Sequence, residues 1–219
     1  MADVSLQLET MNGELVQMTR LVGSAMVRAT QALLDADLSL AESVIAADAQ
    51  LDVLASDIEG RCFDLIASQQ IDAATLPIVI GGLRIATSLE RMGDLAEHVA
   101  KQARLRYPRL SIPTELRGTF AEMGGLAEAI VSKTGAVIAT KNVELTADIA
   151  RHDEQVDRLH RELFTIVLSP RWTHGVEAAI DVTLLSRYYE RYADHAVSVT
   201  RRVVTIVTGE PYVEVTLDA

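Results

Sequence analysis

The sequence contains few of the residues that disulfide networks, membrane spans and large β-domains require. Aromatic residues make up 4% of its 219 positions, and it has 5 prolines, 12 glycines and one cysteine, Cys62. A single cysteine permits no internal disulfide, and in an apolar helical pattern it is expected to be a small buried residue. The longest uncharged run, residues 73–83, is too short to span a bilayer. The sequence therefore predicts neither a disulfide-rich secreted scaffold nor a membrane-spanning protein.

Positive charge is also scarce, because 20 lysines and arginines face 31 aspartates and glutamates, giving a net charge of −11 at pH 7. An acidic protein repels the phosphate backbone of DNA or RNA, so nucleic acid is not expected as a partner. The first residues show neither the basic nor the apolar region of a secretory signal. We therefore expect a soluble, cytoplasmic protein without direct membrane insertion.

Apolar residues are abundant, at 49% of the chain, and they recur every three or four positions almost from end to end. This period is typical of amphipathic helices and predicts an all-α fold. Turn residues interrupt the period and place six helices near 6–36, 39–69, 76–106, 114–141, 143–169 and 174–208. Ser39 and Glu42 have the spacing of a capping box at the start of the second helix, and Pro77 suits the first turn of the third.

The two halves of the sequence are related by an internal repeat. A shift of 105 residues aligns the first two predicted helices with the fourth and fifth, and a shift of 100 aligns the third with the sixth. The difference falls in the loop before the third helix of each half, where changes in length are tolerated. The repeat predicts two pseudo-symmetric three-helix bundles, 1–106 and 114–208, joined by a linker at 107–113 and followed by a C-terminal tail at 209–219.

Acidic residues recur in pairs, four positions apart, on the second and third helices of each half. In an antiparallel hairpin the two pairs of one half come to the same height, because the positions midway between them fall in predicted turns. Each pair also borders the apolar stripe of its helix, so both can meet in the groove between the helices. The eight acids are Asp48, Asp52, Glu90 and Asp94 in the first half and Asp153, Asp157, Glu190 and Asp194 in the second.

Four converging carboxylates repel one another unless something neutralises them, and a bound cation is the natural candidate. All-oxygen ligands suit hard ions, and carboxylates can bridge several of them, so we expect a multinuclear site on each bundle. The divalent or ferric metal is left open among iron, magnesium, manganese and zinc. Arg91 and Arg191, next to these acids, are expected to neutralise part of the charge. The alternative is that the acidic pairs are solvated helix faces.

A ferritin-like di-iron enzyme also builds carboxylate sites between helices and is the catalytic competitor. It requires Glu-x-x-His on two helices. The nearest approach here is Asp157-x-x-His160, and the matching position of the first half is Ala55. His98 and His195 lie near the acids but at positions that are not equivalent in the repeat. Neither a phosphate-binding loop nor a Ser/His/Asp set of recognisable spacing is present, so we expect binding sites and not an enzyme.

The acidic motifs resemble those of the PhoU family of phosphate-uptake regulators. The resemblance is carried by Leu-Glu-Arg-Met-Gly-Asp at 89–94, by Glu-Arg-Tyr-Ala-Asp-His-Ala at 190–196, and by Asp-x-x-x-Asp on the second and fifth helices, and it covers about residues 8–208. The segments 171–172 and 201–209 look like actinobacterial members. The resemblance implies two three-helix bundles that carry multinuclear metal clusters, with all eight acids as metal ligands.

The resemblance also implies a function. The family is a negative regulator of the phosphate-starvation response and is thought to couple a phosphate ABC transporter to a sensor histidine kinase. The chain is therefore expected to be a non-enzymatic adaptor whose partners are the sensor kinase and the transporter ATPase, and a homodimer is expected. The alternative function is a metal-dependent helical-bundle enzyme or a metal store.

Two further clusters stand out, one near the C-terminal end of the third helix and one in the sixth helix. The first is a group of cations that we expect to complement the helix dipole, with an anion or partner site as the alternative. The second is a group of tyrosines that cannot all face one core, so at least one of them is expected on a dimer or partner surface. The cations are Lys101, Arg104, Arg106 and Arg109, and the tyrosines are Tyr188, Tyr189 and Tyr192, the last of which is expected in the core.

Overall fold

The computed structural model of the chain describes residues 2–68 and 71–210, and within these residues the regular structure is helical. The helices are α1 (Ala2–Asp35), α2 (Leu38–Ala67), α3 (Leu76–Arg106), α4 (Arg117–Thr140), α5 (Thr146–Val167) and α6 (Gly175–Thr208). The all-α prediction is confirmed, and each predicted helix is present with small shifts at its ends. Most of the predicted C-terminal tail, 211–219, lies outside the described residues.

The start of α2 differs from the prediction. The residue that caps the helix is Asp37, whose carboxylate accepts a hydrogen bond from the Leu40 N–H at 2.9 Å. The predicted capping box of Ser39 and Glu42 is wrong, because Ser39 itself already lies inside the helix. Pro77 lies in the first turn of α3, as predicted.

The two bundles pack against each other through four of the six helices. Helix α1 lies against α4, and α3 lies against α6. Helix α2 packs on α1 and α3, whereas α5 packs on α4 and α6. The buried side chains form one continuous core, which includes Cys62 as predicted. The repeat therefore builds a central four-helix bundle with one flanking helix on each side.

Contacts between α1 and α4 reveal the pseudo-two-fold axis. A Cβ at Gly124 would lie 2.6 Å from Cγ2 of Thr30, and a Cβ at Gly135 would lie 2.6 Å from Oγ1 of Thr19. At the offset of 105 residues, Gly124 is the counterpart of Thr19, and Gly135 is the counterpart of Thr30. The same contact is thus made twice with the roles exchanged, as in an isologous interface.

The linker between the bundles is held in place by the residues it crosses. Ser111 and Ile112 are buried, and the Ser111 hydroxyl donates a hydrogen bond to the Gln102 carbonyl at 3.0 Å. Where α4 begins, the Arg117 guanidinium lies 3.3 Å from the Asp35 carboxylate at the end of α1. These contacts order the linker where the chain passes from the first bundle to the second.

Candidate metal centres

The first acidic cluster lies where α2 and α3 approach each other closely. Gly93 of α3 faces α2, and a Cβ at this position would lie 2.2 Å from Cδ2 of Leu51 and 3.0 Å from Oδ1 of Asp48. The end of the Leu51 side chain occupies the space that a side chain at position 93 would enter. Asp48 therefore lies on the face of α2 that contacts α3.

The four predicted acids of the first half interact electrostatically. Burial, followed by the charges of neighbouring carboxylates that include Asp52 and Asp94, raises the pKa of Asp48 to about 6. Burial also raises the pKa of Glu90, and the charges of Asp94 and Asp52 act in the same direction. Acids from α2 and α3 therefore lie together at the height that the hairpin geometry predicts.

A fifth carboxylate, that of Glu97, belongs to the first cluster and is absent from the predicted set. After burial, its charge is the largest cause of the raised pKa of Asp48. Glu97 lies one helical turn beyond Asp94 and pairs with Lys101 at 2.5 Å. The helical spacing from Asp94 is visible in the sequence, but the counterpart of Glu97 in the second half is Val197. A search for acids that recur in both halves therefore misses it.

The second cluster lies between α5 and α6. Burial, together with the charges of Asp157, Asp194 and Glu190, raises the pKa of Asp153 to about 7. Burial likewise raises the pKa of Glu190 and of Asp194, and the Asp157 charge adds to both shifts. The four predicted acids of the second half therefore also lie together.

Two carboxylate oxygens of the second cluster, Asp153 Oδ1 and Glu190 Oε2, are buried without a hydrogen-bond partner among the described residues. Buried polar atoms nearly always have such a partner, and leaving one without costs about 1–3 kcal/mol, more if it is charged. In the part of the chain that the structure describes, the first cluster has no oxygen in this state. The second cluster is thus the less satisfied of the two.

Arg91 neutralises part of the first cluster, as the sequence predicts. Its guanidinium lies 2.7 Å from the Asp94 carboxylate and 3.4 Å from that of Glu90, so it bridges both acids of α3. The Arg91 side chain is itself more than half exposed, at 58% of its full accessible area. An exposed bridge of this kind contributes little stability and is easily exchanged for another cation.

In the second cluster the ion pair is made by an arginine outside the prediction, whereas the predicted Arg191 contributes through its charge. Glu190 pairs with Arg187, one turn earlier on α6, and not with Arg191. The counterpart of Arg187 in the first half is Thr87, so the repeat contains no signal for it. Arg191 acts on the cluster through its charge, which lowers the pKa of Asp194 against the larger effect of burial.

The described acids of neither cluster are arranged as a closed metal-coordination shell. Over residues 2–68 and 71–210, no group of three or more His, Cys, Asp or Glu side chains is close enough together to hold a metal ion. Several of the acids instead turn toward arginine or lysine. The donors are carboxylate oxygens, two of them buried and unpartnered, and this set fits hard cations. The ligand roles of the eight acids stay a prediction.

Two of the histidines near the clusters have other partners. His98 Nδ1 donates to the main-chain carbonyl of Asp94 at 2.6 Å, and its ring packs on Tyr188 with 5.3 Å between the ring centroids. His160 Nδ1 lies 2.9 Å from the Ser186 hydroxyl. His160, the histidine of the sequence closest to a di-iron motif, is therefore within hydrogen-bond distance of a serine.

His195 lies within electrostatic reach of both clusters. Burial is the main cause of its lowered pKa, and the charges that act on it come from Arg191 and Asp194 of α6 and from Arg91 and Asp94 of α3. His195 is therefore close to acids of both clusters across the packed pair of α3 and α6.

The three tyrosines of α6 divide between the core and the surface. Tyr189 and Tyr192 are completely buried, the latter as predicted, and the Tyr189 hydroxyl lies 2.7 Å from Oγ1 of Thr30. Tyr188 is half-buried against His98. Only Tyr188 is thus placed where it could take part in a contact with another molecule.

Comparison with protein families accounts for the repeat. A family model described as the PhoU domain matches the chain twice, over residues 15–103 and 120–203. The two matches begin 105 residues apart and end 100 residues apart, which are the two offsets of the internal repeat. The predicted duplication is confirmed.

Similar proteins match over nearly the whole chain. A protein of Mycobacterium tuberculosis (strain ATCC 25618 / H37Rv) named phosphate-specific transport system accessory protein PhoU homolog 2 is 45% identical over 203 residues, 93% of this chain and 95% of its own. PhoU homolog 1 of Mycobacterium leprae (strain TN) is 43% identical over 93% of this chain and 91% of its own. The crystal structure of PhoU from Pseudomonas aeruginosa superposes with a TM-score of 0.81 at 27% identity and covers 94% of this chain and 99% of that one.

Proposed function

The chain belongs to the PhoU family, and from this premise we propose that it regulates phosphate transport as a non-enzymatic adaptor. In this role it is a negative regulator that keeps phosphate-scavenging genes off while phosphate is plentiful. The observation that supports the proposal is the double family match, which extends over both bundles and includes the acidic motifs of each. The mycobacterial relatives, which are named as accessory proteins of phosphate-specific transport, point in the same direction.

The proposed partners are the ATPase of a phosphate ABC transporter and a sensor histidine kinase, met in the cytoplasm. No helix within the described ranges is both long and apolar enough to cross a membrane. Exposed apolar side chains lie near the α2–α3 turn and near the α5–α6 turn, and they provide faces for helix-to-helix contacts with partners or with a second copy in a homodimer. They are Phe63, Ile66, Leu76 and Ile80 at the first turn and Leu168, Val176, Ile180 and Leu184 at the second.

The second part of the proposal is that both clusters hold divalent or ferric metal ions. The proposed ligands are the eight acids of the four pairs, with Arg91 and Arg187 adjacent to them. The buried, unpartnered oxygens of Asp153 and Glu190 support this assignment for the second cluster, because a cation supplies the partner that they lack. When bound, the metal would supply the positive charge that lets all four carboxylates of a cluster ionise.

The metal-free and metal-bound forms would differ in the protons that the acids carry and in the pairing of the neighbouring arginines. In the metal-free protein, Asp153 carries a proton below about pH 7 and Asp48 below about pH 6. Binding of a cation would favour the ionised carboxylates and so release these protons, and it would free Arg91 and Arg187, whose side chains are already 58% and 46% exposed, from their pairing with the acids. The clusters therefore convert ion binding into a change of surface charge that a partner protein can recognise.

The regulatory role is tested with a deletion strain grown in abundant phosphate. We expect its phosphate-scavenging genes to be expressed where the parent strain represses them. Normal repression in the deletion strain, with every other family member also deleted, would contradict the proposed function. Expression is measured by transcript abundance and by secreted phosphatase activity.

The contribution of the clusters is tested by complementation of the deletion strain. A variant with Glu90→Gln, Asp94→Asn, Glu190→Gln and Asp194→Asn is compared with one that carries Asp57→Asn and Asp64→Asn, two exposed acids of α2 outside the clusters. Repression by the control but not by the cluster variant supports a regulatory role of the clusters. Equal repression by both would separate regulation from the clusters.

Metal occupancy is tested directly on the purified protein. Anomalous scattering maps and elemental analysis are expected to place metal at both clusters and to identify it. If no metal is found and added metals leave the melting temperature unchanged, the clusters are solvated acidic faces. Oxidation of iron by oxygen with turnover would instead favour the metal-dependent enzyme or metal store.

A further inference from the structure

A cleft of about 500 Å³ lies at the opposite end of the α3–α6 pair from the ion pairs of Arg106, between the first half of α3 and the last turns of α6. Its walls include the apolar side chains of Leu76, Ile80 and Ile206. Three arginines, Arg84, Arg201 and Arg202, also line it, although the chain as a whole has a net charge of −11. An open cleft that combines apolar walls with clustered guanidiniums is suited to a ligand that is both apolar and anionic.

Arg84 and Arg202 lie close enough for their charges to oppose each other. Burial and the charge of Arg84 both lower the pKa of Arg202, and no carboxylate of the described residues acts against them. The Arg202 side chain donates a long hydrogen bond of 3.4 Å to the Ser198 hydroxyl, while its Nε is buried without a partner in the described part of the chain. Two like charges face a cleft that an anion would neutralise.

The pseudo-symmetric counterpart of this cleft shows which groups bind an arginine at an end of the α3–α6 pair. At the other end of the α3–α6 pair, the Arg106 Nε and Nη2 donate to the Asp181 carboxylate at 2.7 and 2.9 Å. Arg106 also pairs with Glu177, one turn earlier on α6. Two carboxylates, four residues apart on a helix, therefore satisfy the arginine from within the chain.

The cleft lacks these acids at the equivalent positions. At the offset of 100 residues, Asp181 corresponds to Gly81 and Glu177 to Pro77, whereas Ile206 takes the place of the arginine. A Cβ at Gly81 would lie 2.4 Å from Cδ1 of Ile206, so the Ile206 side chain occupies the space that the acid fills at the other end. At one end of the α3–α6 pair the chain's own carboxylates pair with the arginine. At the other end no such acid is present at the equivalent positions, and Arg84 and Arg202 lie one helical turn nearer the middle of the pair.

We propose that this cleft docks an acidic helical segment of a partner protein, with two carboxylates one turn apart that bind Arg84 and Arg202 and apolar neighbours that cover Ile80 and Ile206. A volume of about 500 Å³ accommodates a ligand of many atoms, and a single inorganic oxyanion would leave the apolar walls uncovered. The proposal rests on the adaptor function, since the segment belongs to a protein partner, and it adds the chemistry by which that partner is recognised.

The proposal is tested with a peptide that copies the chain's own acidic segment. The probe is a fluorescent, end-blocked peptide of residues 174–186, which carries Glu177 and Asp181 with apolar neighbours, and its binding to the purified full chain is followed by anisotropy. We expect saturable binding that weakens as salt is raised. We expect the Arg84→Gln/Arg202→Gln variant to bind about tenfold or more weakly, from the size of charge-assisted hydrogen bonds.

Matched controls make the outcome decisive. The double variant Arg104→Gln/Arg109→Gln removes the same charge from exposed positions outside the cleft and is expected to bind like the parent chain. A peptide with Glu177→Gln and Asp181→Asn is expected to bind as weakly as the cleft variant does. Circular dichroism and the melting temperature verify that each variant is folded. If the glutamine variant is not folded, Arg84→Lys/Arg202→Lys, which keeps the charge, replaces it in the assay.

Several results would overturn the proposal. They are no binding to the parent chain up to about 1 mM, equal binding of the neutral peptide, and binding that ignores the cleft arginines. Arginine-dependent binding of inorganic phosphate without binding of the peptide would also overturn it and identify a small-oxyanion site. Because these assays use purified protein, such a failure leaves the regulatory phenotype of the deletion strain as a separate test of the adaptor function.

Discussion

The two acidic clusters occupy equivalent places in the repeat, but their surroundings differ. In the first, Gly93 lets α2 approach α3, and Glu97 with Lys101 extends the cluster by one turn. In the second, the residues at the positions of Gly93 and Glu97 are Ala193 and Val197. The duplication has kept the acids that both halves share and has changed the residues that pack around them.

The clusters also differ in how well they are satisfied without metal. Arg91 bridges both acids of α3, whereas Asp153 and Glu190 each leave one oxygen buried and unpartnered among the residues described. The pKa of Asp153 is raised to about 7, and that of Asp48 only to about 6. Under the proposed metal assignment, we expect the second cluster to depend more strongly on a bound cation than the first does.

The largest expected effect concerns the burial of Asp153. In metal-free protein at pH 8, Asp153→Asn should raise the free energy of unfolding by a few kcal/mol, at about 1.4 kcal/mol per pKa unit, because it removes a buried charge. Asp48→Asn should give a smaller gain, since the pKa of Asp48 is raised less. Urea unfolding in the presence of a chelator measures both differences.

The sign of the pH dependence follows from the raised pKa. Between the ordinary value of 3.8 and about 7, the folded protein keeps the Asp153 proton that the unfolded chain releases, so stability falls as pH rises through this range. The corresponding fall for Asp48 ends near pH 6. An Asp153→Asn variant whose stability keeps the parent's slope between pH 6 and 7 would contradict the comparison.

Metal titration gives the second largest effect. A metal at a free concentration of 100 times its Kd stabilises the fold by about 2.7 kcal/mol per site. We expect two steps in a calorimetric titration, with Asp194→Asn weakening the tighter step and Asp94→Asn the weaker one. If Asp94→Asn removes the tighter step, then the bridged cluster is the stronger metal site and the inferred order is wrong.

The third prediction compares the two ends of the α3–α6 pair. Arg106→Gln should lower the melting temperature by several degrees, because the side chain of Asp181, only 6% exposed, loses its partner. Arg202→Gln should leave the melting temperature unchanged or raise it slightly, since it relieves the opposition of Arg84. Thermal unfolding at low salt checks both, and equal losses would mean that Arg202 is satisfied within the chain.

Much of the fold could be predicted because periodicity and duplication are written in the sequence. The helix period gave the six helices, and the two offsets gave the relation between the bundles that the double family match confirms. The end of a helix depends on one local hydrogen bond, so Asp37 and not Ser39 caps α2. The packing of α1 on α4 depends on matched small residues such as Gly124 and Gly135, which no helical period reveals.

The acids of the two clusters could also be predicted from the duplication, but the differences between the clusters could not. Residues present in both halves, such as Asp48 and Asp153, stand out by repetition, whereas Glu97 and Arg187 occur in one half only. Which of two nearby arginines pairs with an acid is decided by side-chain packing, which spacing along a helix does not determine. The features that distinguish the two clusters are therefore those that the repeat conceals.

The smallest effect concerns the close contact at Gly93. It is measured by exchanging glycine and alanine at the equivalent positions 93 and 193 of the two halves. Gly93→Ala places a Cβ 2.2 Å from the Leu51 side chain and 3.0 Å from Asp48 Oδ1. Overpacking of about 1–3 kcal/mol outweighs the gain of up to about 1 kcal/mol in helix propensity, so we expect a net loss near 1 kcal/mol. Ala193→Gly should lose a similar amount through propensity alone. Only Gly93→Ala moves a carboxylate, so it should weaken metal binding at the first cluster while Ala193→Gly leaves the second unchanged. A Gly93→Ala variant that is more stable than the parent chain would mean that the Leu51 side chain moves aside at little cost.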